Sequence, residues 1–342
     1  MKLYFMSRPK IYVTRKLPEA GIKRIFELFD VEIWPEYPPP PRDVLLQKVR
    51  TVDGLVSLLT DKIDKELLEN AKNLKIIAQY AVGYDNIDLD ACTSKGIYVT
   101  NTPGVLTDAT ADHTMALMLA IARRIVESDT YIRTGKWEES NTGWHPTMFL
   151  GVELTGKTLG IIGFGRIGVA VARRARAFGM KIVYYSRQRK TELEKELDAT
   201  YLQLDDLLKV SDIVSIHVSL NDKTKNLIGA RELRLMKTTA LLINTSRGAV
   251  LDEEALYDAL KDGIIAGAAL DVFRQEPTPK TNKLLSLKNI VVTPHTGSAT
   301  YKTRTKMAEI VSENLIAFFS GKIPPNLVNK NVTDIKKPEK LI

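Results

Sequence analysis

The chain has 342 residues, 44% of them hydrophobic and 26% charged, a composition that is ordinary for globular proteins and excludes global disorder. Its length exceeds the size at which a single hydrophobic core usually stops growing, so two domains are predicted. The net charge of +8 arises from cations scattered among 41 acidic residues, without a long basic run, so a small anionic substrate or a phosphorylated cofactor fits it at least as well as nucleic acid does.

Cysteine content and hydropathy restrict the setting further. The single cysteine, Cys92, cannot form an intramolecular disulfide, and no group of cysteines or histidines has the spacing of metal ligands. No stretch approaches the roughly 18 apolar residues that a membrane span requires, and the first residues lack a long apolar run. We therefore predict a cytoplasmic protein that binds neither a metal, nucleic acid nor a membrane.

The first hundred residues alternate short apolar runs with amphipathic stretches. The runs IYVTR, VEIW, GLVSLLT, KIIAQYA and GIYVTN read as strands, and AGIKRIFELF and DKELLENA read as helices between them. This alternation predicts a parallel sheet flanked by helices. The run Pro38–Pro41 lacks backbone N–H donors and is predicted to be a surface loop.

A helical pattern from Thr107 to Gly135 predicts one long helix. A second series of strands and helices follows, beginning at KTLGIIGFGRIG and continuing through DIVSIHVSL, ALLINTSRG, IAGAALDVF and NIVVTPH. The last amphipathic stretch, YKTRTKMAEIVSENLIAFFSGK, is expected to pack on the N-terminal domain and to make that domain discontinuous.

The motif GxGxxG at Gly163, Gly165 and Gly168 stands between an apolar strand and a helix. The first glycine permits a tight turn, the second permits a pyrophosphate to approach, and the third permits close packing of helix and strand. Glycines in a loop are often turn residues alone, but this context predicts a dinucleotide-binding domain.

The second strand of that domain, KIVYY, is followed by Ser-Arg-Gln-Arg-Lys where an acidic residue would bind the ribose 2′-OH of NAD. Arg187 and Arg189 are suited to a 2′-phosphate, so the sequence predicts NADP(H) as the preferred cofactor and NAD(H) as the second. The alternative is that these cations form a solvated turn and pair with the glutamates of TELEKELD.

Four histidines are available for proton transfer, and three of them are weaker candidates than the fourth. His113 lies within the helical pattern and is expected to be packed, while His145 lies in a loop and is a minor candidate. His217 ends a strand at the edge where the cofactor is expected, which favours cofactor contact over chemistry. His295 also follows a strand end, as do Arg247 and Glu276, so a cation, a carboxylate and an imidazole are predicted to meet at one edge of the sheet.

The motifs GFGRIG, NTSRG, DVF with EP, and TPHTGSAT occur in the order found in the D-isomer-specific 2-hydroxyacid dehydrogenases, which this sequence resembles over nearly its whole length. The loop AVGYDNID and the cationic loop are most similar to those of glyoxylate and hydroxypyruvate reductases. The resemblance implies an α/β fold with two Rossmann-like domains. A flavodoxin-like substrate domain would comprise residues 1–101 and 289–342, and a parallel-sheet dinucleotide-binding domain residues 102–288.

The resemblance also implies an activity, a homodimer and a set of site residues. The expected reaction is hydride transfer from NAD(P)H to a small 2-oxo acid, giving the 2-hydroxy acid. His295 would donate the proton, Glu276 would orient it and stabilise its imidazolium, and Arg247 would bind the substrate carboxylate. Substrate would also contact Leu59, Val82 and Gly83. The residues expected to contact the cofactor are Thr107, Gly163, Gly165, Arg166, Ile167, Gly168, Ser186, Arg187, Arg189, His217, Thr245, Ser246, Asp271 and Gly297.

Two alternatives remain open from the sequence. One is a dinucleotide-sensing binding protein on a dehydrogenase scaffold, and the other is a dehydrogenase for a different D-2-hydroxy acid. Residues before Arg8 precede the usual opening strand of the family, which makes Met6 a candidate alternative start.

Overall fold

A computed structural model describes residues 8–342, so Met6 lies outside the described residues. The chain divides into two compact units. One contains the chain up to Leu106 together with Ala299–Ile342, and the other contains Thr107–Ser298. Among residues 8–342, no helix has both the length and the apolarity needed to cross a bilayer.

The first unit is built on a parallel five-stranded sheet of order β2-β1-β3-β4-β5, which is the flavodoxin-like order. Alternate residues of one strand face opposite sides, so Ile11 and Val13 enter one apolar cluster and Tyr12 enters the other. The elements are β1 (Lys10–Val13), α1 (Glu19–Leu28), β2 (Asp30–Ile33), α2 (Arg42–Lys48), β3 (Gly54–Ser57), α3 (Lys65–Asn70), β4 (Ile76–Gln79), α4 (Leu89–Ser94) and β5 (Tyr98–Thr100).

The second unit is built on a parallel seven-stranded sheet of order β12-β11-β10-β9-β6-β7-β8. Its central strands are buried on both faces, which explains their continuous apolar sequences. The elements are α5 (Thr107–Ala122), α6 (Ile125–Arg133), α7 (Lys136–Ser140), β6 (Thr158–Ile162), α8 (Arg166–Ala177), β7 (Lys181–Tyr185), α9 (Thr191–Leu197), β8 (Ala199–Tyr201), α10 (Leu204–Val210), β9 (Ile213–Ile216), α11 (Ala230–Leu235), β10 (Leu241–Asn244), α12 (Glu253–Lys261), β11 (Gly267–Leu270) and β12 (Ile290–Val292), with 3₁₀ turns at Gly248–Val250 and Lys283–Ser286.

The chain then returns to the first unit through α13 (Tyr301–Phe319) and α14 (Val332–Ile335). The apolar face of α13 packs against α1 and the five-stranded sheet, where Phe318 and Phe319 are fully buried. Two parallel sheets, each covered by helices on both faces, confirm the predicted fold class.

Two details differ from the sequence-based expectations. The expected boundary between residues 288 and 289 falls before β12, yet β12 pairs with β11 in the seven-stranded sheet, and the units divide at residue 298. The first division likewise falls after Leu106 rather than after residue 101.

The prediction of one helix from Thr107 to Gly135 was wrong. Arg124 adopts a left-handed backbone conformation with φ of 54°, which ends α5 and starts α6 in a new direction. The Arg124 side chain hydrogen-bonds Glu127 in the first turn of α6 at 2.6 and 2.8 Å. Neither α6 nor α7 contains a buried residue, in contrast to α5.

Candidate active site

The glycine loop joins β6 to α8. Gly163 has φ of 100°, and a Cβ there would overlap the backbone carbonyl of His217. A Cβ at Gly168 would overlap the Gly163 carbonyl, so that glycine allows the helix to approach the loop. A Cβ at Gly165 would meet no atom within 4 Å, so the N-terminus of α8 is open there. These features fit a bound pyrophosphate.

The first helical residues beside this opening are Arg166 and Ile167. Arg166 is exposed and Ile167 is half-buried. Arg166 thus provides a cation at a helix N-terminus whose backbone N–H groups also favour anions. Thr107, the first residue of α5, is half-buried in the same unit.

The loop after β7 contains no carboxylate between Ser186 and Lys190. Ser186 donates a hydrogen bond to the carbonyl of Gln188 at 2.6 Å, which closes the turn. Arg187 is exposed and, within residues 8–342, forms no ion pair. Arg189 forms a two-point ion pair with Glu194. Arg187 is therefore available to a ligand, as the first interpretation expected, whereas Arg189 pairs with a glutamate, as the alternative expected.

His217 follows β9, next to β6 in the sheet. Its backbone N–H donates to the Ile162 carbonyl at 2.7 Å, and its Nε2 lies 2.8 Å from the hydroxyl of Ser215. Desolvation of the ring lowers the pKa of His217 to about 4, so the imidazole is neutral near pH 7. A neutral ring at this edge fits cofactor contact better than it fits proton donation.

The turn after β10 is organised by Asn244, a buried residue to which the sequence analysis gave no role. Its Oδ1 accepts from the backbone N–H and hydroxyl of Ser246 at 3.0 and 2.8 Å, and its Nδ2 donates to the Arg247 carbonyl at 3.0 Å. The neighbouring Thr245 hydroxyl lies 2.9 Å from that of Thr114 on α5. Asn244 thereby fixes the backbone on both sides of the Arg247 side chain.

Gly248 brings the Arg247 turn against the segment after β11. A Cβ at Gly248 would overlap the backbone of Phe273, so only glycine permits this contact. Phe273 in turn donates its backbone N–H to Glu276 Oε1 at 2.9 Å. The glycine of the NTSRG motif therefore serves to place two candidate catalytic segments side by side.

Glu276 and His295 form the closest pair of candidate catalytic groups. Glu276 Oε2 lies 2.7 Å from His295 Nδ1, and the two side chains are 28% and 29% exposed. Because a carboxylate only accepts, Nδ1 carries the proton in this pair. Nε2 has no hydrogen-bond partner in the described part of the chain and remains for a ligand. This geometry suits general acid–base chemistry.

Asp271 fixes the backbone that carries His295. Its carboxylate accepts from the Thr296 and Gly297 N–H groups at 2.7 and 2.8 Å and from the Thr293 hydroxyl at 2.6 Å, while its carbonyl accepts from the His295 N–H at 2.8 Å. The charge is 3.2 Å from His113 Nε2. Although burial opposes ionisation, the hydrogen bonds from His113, Thr293 and Thr296 lower the pKa of Asp271.

These side chains emerge from one edge of the seven-stranded sheet. Arg247, Glu276 and His295 follow the carboxyl ends of β10, β11 and β12, which are neighbours in the sheet order. The glycine loop and His217 follow β6 and β9, the next two strands. The second unit therefore holds both the cofactor loop and the proposed acid–base groups at this edge. Ligands of doubly wound folds bind outside the same edge.

The expected substrate residues of the first unit lie on two neighbouring loops. Leu59 follows β3, and Val82 and Gly83 follow β4; all three are half-buried. Asn86 joins the loops by donating to the carbonyls of Leu58 and Asp61 at 3.0 and 2.7 Å. Across the described residues, neither the Val82 nor the Gly83 N–H donates a hydrogen bond, which leaves both available to an anion.

Comparison with known proteins identifies close relatives. Residues 115–297 match the model of the D-isomer specific 2-hydroxyacid dehydrogenase, NAD binding domain. A glyoxylate reductase from Thermococcus litoralis is 61% identical over 331 residues, covering 97% of this chain and all of the relative. A solved structure from Thermus thermophilus has a TM-score of 0.87 at 47% identity, covering 93% of this chain and 99% of that one.

Solved relatives include complexes with a nicotinamide cofactor. The NADPH-dependent glyoxylate/hydroxypyruvate reductase from Sinorhizobium meliloti, in complex with NADP and malonate, has a TM-score of 0.82 at 34% identity. The match covers 95% of this chain and 98% of that chain.

Proposed function

The chain belongs to the D-isomer-specific 2-hydroxyacid dehydrogenase family, and on this basis we propose that it reduces glyoxylate and hydroxypyruvate to glycolate and D-glycerate with NAD(P)H. The observation that carries the proposal is the Glu276–His295 pair, which lies at the sheet edge that also presents the glycine loop. A binding protein on a dehydrogenase scaffold can retain the same pair, so the turnover assay described below distinguishes the two functions.

The chain's own groups fit the nicotinamide cofactor. The opening at Gly165 and the N-terminus of α8 would hold the pyrophosphate, and Arg166, Ile167, Thr245, Ser246 and His217 lie on the loops around it. When bound, the nicotinamide supplies the hydride that reduces the 2-oxo carbon. Asp271 and Gly297 are also expected near the cofactor. Both are buried, and the Asp271 carboxylate accepts the Gly297 N–H, so they would support the loop after β12 on the side of the cofactor.

His295 delivers the proton to the carbonyl oxygen of the substrate. Nδ1 is held by Glu276, so Nε2 is the nitrogen presented to substrate, and the carboxylate stabilises the charged ring before proton transfer. Arg247 supplies a planar guanidinium that binds the substrate carboxylate at two points. In this mechanism, a loss of Arg247 would mainly weaken substrate binding, and a loss of His295 would mainly lower turnover.

The substrate carboxylate also has candidate partners in the first unit. The N–H groups of Val82 and Gly83 are suited to it because a carboxylate accepts backbone hydrogen bonds readily. Leu59, on the adjoining loop, would limit the size of the side chain at the neighbouring carbon. These three assignments rest on the family resemblance and on the availability of the two N–H groups.

We infer a preference for NADP(H) over NAD(H) from the loop after β7. The carboxylate that would bind the ribose 2′-OH is absent, and Ser186 and the exposed Arg187 occupy its place. The test is the ratio of kcat/KM with NADPH to that with NADH at equal glyoxylate concentration. We expect a ratio above one; equal or better use of NADH would contradict the preference.

We also propose that the enzyme is a homodimer formed through residues 123–153, here named the arm. Ile132, Trp144 and Leu150 of the arm are 58%, 83% and 65% exposed, an unusual density of apolar surface. A second copy of the chain would cover it.

Light scattering should give twice the chain mass, and Ile132→Glu should lower that mass. Phe26→Glu, on α1 and 44% exposed, is the matched control. A monomeric wild type would contradict the proposal.

The activity is tested by loss of reduced-nicotinamide absorbance with purified protein. NADPH and NADH are each paired with glyoxylate, hydroxypyruvate and pyruvate. Rapid oxidation with glyoxylate or hydroxypyruvate supports the proposal, and a clear preference for pyruvate would assign a different 2-hydroxy acid. Cofactor binding without turnover on any of the three acids would contradict an enzymatic role.

A further inference from the structure

Tyr184, a buried residue of β7, connects the cationic loop to the glycine loop. Its ring stacks on Phe164, which lies between Gly163 and Gly165, with centroids 4.1 Å apart. Its hydroxyl accepts from the Lys190 backbone N–H and donates to Glu194 Oε1, both at 2.7 Å. Glu194 is therefore anchored, through one tyrosine, to the two loops that the cofactor would contact.

Glu194 uses its anchored carboxylate to hold Arg189. Oε1 accepts from Arg189 Nε and Oε2 accepts from Nη2, each at 2.8 Å, so the guanidinium presents one whole edge to the carboxylate. Hydrogen bonds from Arg189 and then from Tyr184 lower the pKa of Glu194 to about 2, so the group is ionised throughout the working range of pH. The Glu194 side chain is 13% exposed, whereas that of Arg189 is 62% exposed.

A carboxylate in this position opposes the binding of a phosphate in two ways. It occupies two of the five N–H donors of Arg189, including the edge that pairs best with an oxyanion. It also places a fixed negative charge next to Arg189, in the loop that would receive the phosphate. Arg187 carries no such restraint in the described residues.

We infer that Glu194 is a specificity-determining residue that restrains Arg189 and limits the advantage of NADPH over NADH, leaving Arg187 as the principal partner of the ribose 2′-phosphate. The inference rests on the proposed NADP(H) preference. It assigns a role to a residue outside the loop that contacts the cofactor, because Glu194 acts through Arg189. Its effect must depend on the 2′-phosphate, which NADH lacks.

The test compares the dissociation constants of NADPH and NADH for wild type and Glu194→Gln, measured by nicotinamide fluorescence. Glutamine keeps one oxygen for the Tyr184 hydroxyl and the Arg189 Nε–H, but it removes the charge and places an NH₂ group opposite Arg189 Nη2, which weakens the hold on the guanidinium without removing the anchor. We expect the NADPH dissociation constant to fall about two- to fivefold, the range for one solvent-exposed ion pair, with little change for NADH.

Glu196→Gln is the matched control. Glu196 lies on the same helix and pairs with Arg173 of α8 at 2.8 Å, so the substitution removes the same charge without freeing Arg189. The ratio of NADPH to NADH affinity should stay at its wild-type value. Thermal unfolding of both variants checks that the fold is retained.

The outcomes separate the inference from the function on which it rests. An unchanged or lowered NADPH preference in Glu194→Gln would overturn the inference, as would an equal loss of both cofactors, which indicates a structural role in the loop. An equal rise in preference in Glu196→Gln would assign the effect to net charge and would overturn it too. Unchanged NADPH binding in Arg187→Ala would also overturn the inference, because Arg187 is its principal phosphate partner. The proposed cofactor preference fails separately, if wild type binds NADH as well as NADPH.

Discussion

Glu276 Oε2 lies 2.7 Å from His295 Nδ1, while the other oxygen of the same carboxylate accepts the Phe273 N–H at 2.9 Å. The carboxylate is thus fixed at both oxygens before any ligand binds. Fixing it also fixes the ring plane and the tautomer of His295, because Nδ1 must be the protonated nitrogen. The pair is preorganised for a single orientation of Nε2.

The first prediction concerns the proton donor. His295→Ala removes the acid but leaves the glycine loop and the cationic loop intact, so turnover of glyoxylate should fall by about 10²- to 10⁴-fold. The dissociation constant of NADPH should change little. Steady-state kinetics and cofactor titration on the same preparation check both parts, and near-normal turnover would reject His295 as the acid.

The second prediction separates the orienting carboxylate from the acid itself. Glu276→Gln keeps the size of the side chain, but its single oxygen accepts from either Nδ1 or the Phe273 N–H and not from both, and it no longer stabilises the charged imidazole. Turnover should fall by about 10- to 100-fold, less than in His295→Ala, with unchanged NADPH affinity. A loss as large as that of His295→Ala would instead mean that the tautomer and orientation set by the carboxylate are as necessary as the acid itself.

The third prediction concerns the substrate carboxylate. Arg247→Lys keeps the positive charge but loses the planar fork, so the KM for glyoxylate should rise about tenfold or more. The NADPH dissociation constant serves as the control because Arg247 is assigned to substrate rather than to cofactor. If KM stayed within about twofold of wild type, a point charge would suffice and two-point binding would be wrong.

The features that could be predicted from sequence are those with local physical causes. The strand–turn–helix around Gly163 and Gly168 is specified by an apolar run, two close backbone approaches and a helical pattern that directly follows them. The juxtaposition of Glu276 and His295 was also predictable, because parallel strands deliver their carboxyl ends to one edge of the sheet.

The features that could not be predicted depend on long-range contacts, or on backbone conformations that the residue type does not indicate. Arg124 has a left-handed φ, which is uncommon for arginine and could not be expected from the sequence. The stretch predicted to be a single helix is therefore divided into α5 and α6. The pairing of β12 with β11 assigns residues 290–292 to the second unit, although the family motifs alone placed them in the first.

The same reason explains the supporting residues that the sequence analysis missed. Asn244 and Gly248 stand within a recognised motif, but their roles follow from a turn geometry and from contact with Phe273, which belongs to a different strand end. The Arg189–Glu194 pair was only one of several pairings that the charge pattern allowed. Partner choice among exposed charges is set by small energies that residue type does not reveal.

The fourth prediction concerns the loops of the first unit. Asn86 accepts from Gln79 Nε2 at 2.8 Å and donates to the carbonyls of Leu58 and Asp61, so it holds together the loops that carry Leu59, Val82 and Gly83. Asn86→Ala removes the side-chain donor of the Asp61 carbonyl and one of the two donors of the Leu58 carbonyl, which also accepts from the Asp61 N–H, at a cost of about 1–3 kcal/mol that loosens the loops.

The expected result is a rise in the KM for glyoxylate of about tenfold, with unchanged NADPH affinity. Asn73→Ala is the control, since Asn73 is exposed in the same unit and its side chain makes one long hydrogen bond, to the Arg50 carbonyl at 3.4 Å. A parallel loss of folding stability without a change in KM would make Asn86 a structural residue only.

The fifth prediction is a pH dependence of stability that arises from His217. Its folded pKa of about 4 lies below the ordinary value of 6.5, so between these two values the unfolded chain binds a proton that the folded chain does not. The stabilising effect of keeping His217 neutral is complete above pH 6.5 and is lost as the pH falls toward 4. Full linkage would exceed about 3 kcal/mol, and partial exposure of the ring reduces the expected loss to about 2 kcal/mol.

His217→Gln tests this dependence because glutamine can keep the hydrogen bond to the Ser215 hydroxyl without titrating. The free energy of unfolding in urea, measured without cofactor at about pH 7.5, 6 and 4.5, should fall more steeply for wild type than for the variant. Carboxylates that titrate in the same range affect both proteins equally, so the difference between the two curves isolates His217. Parallel curves would mean that the ring is protonated in the folded protein at mildly acidic pH, and the case for a neutral imidazole beside the glycine loop would fail.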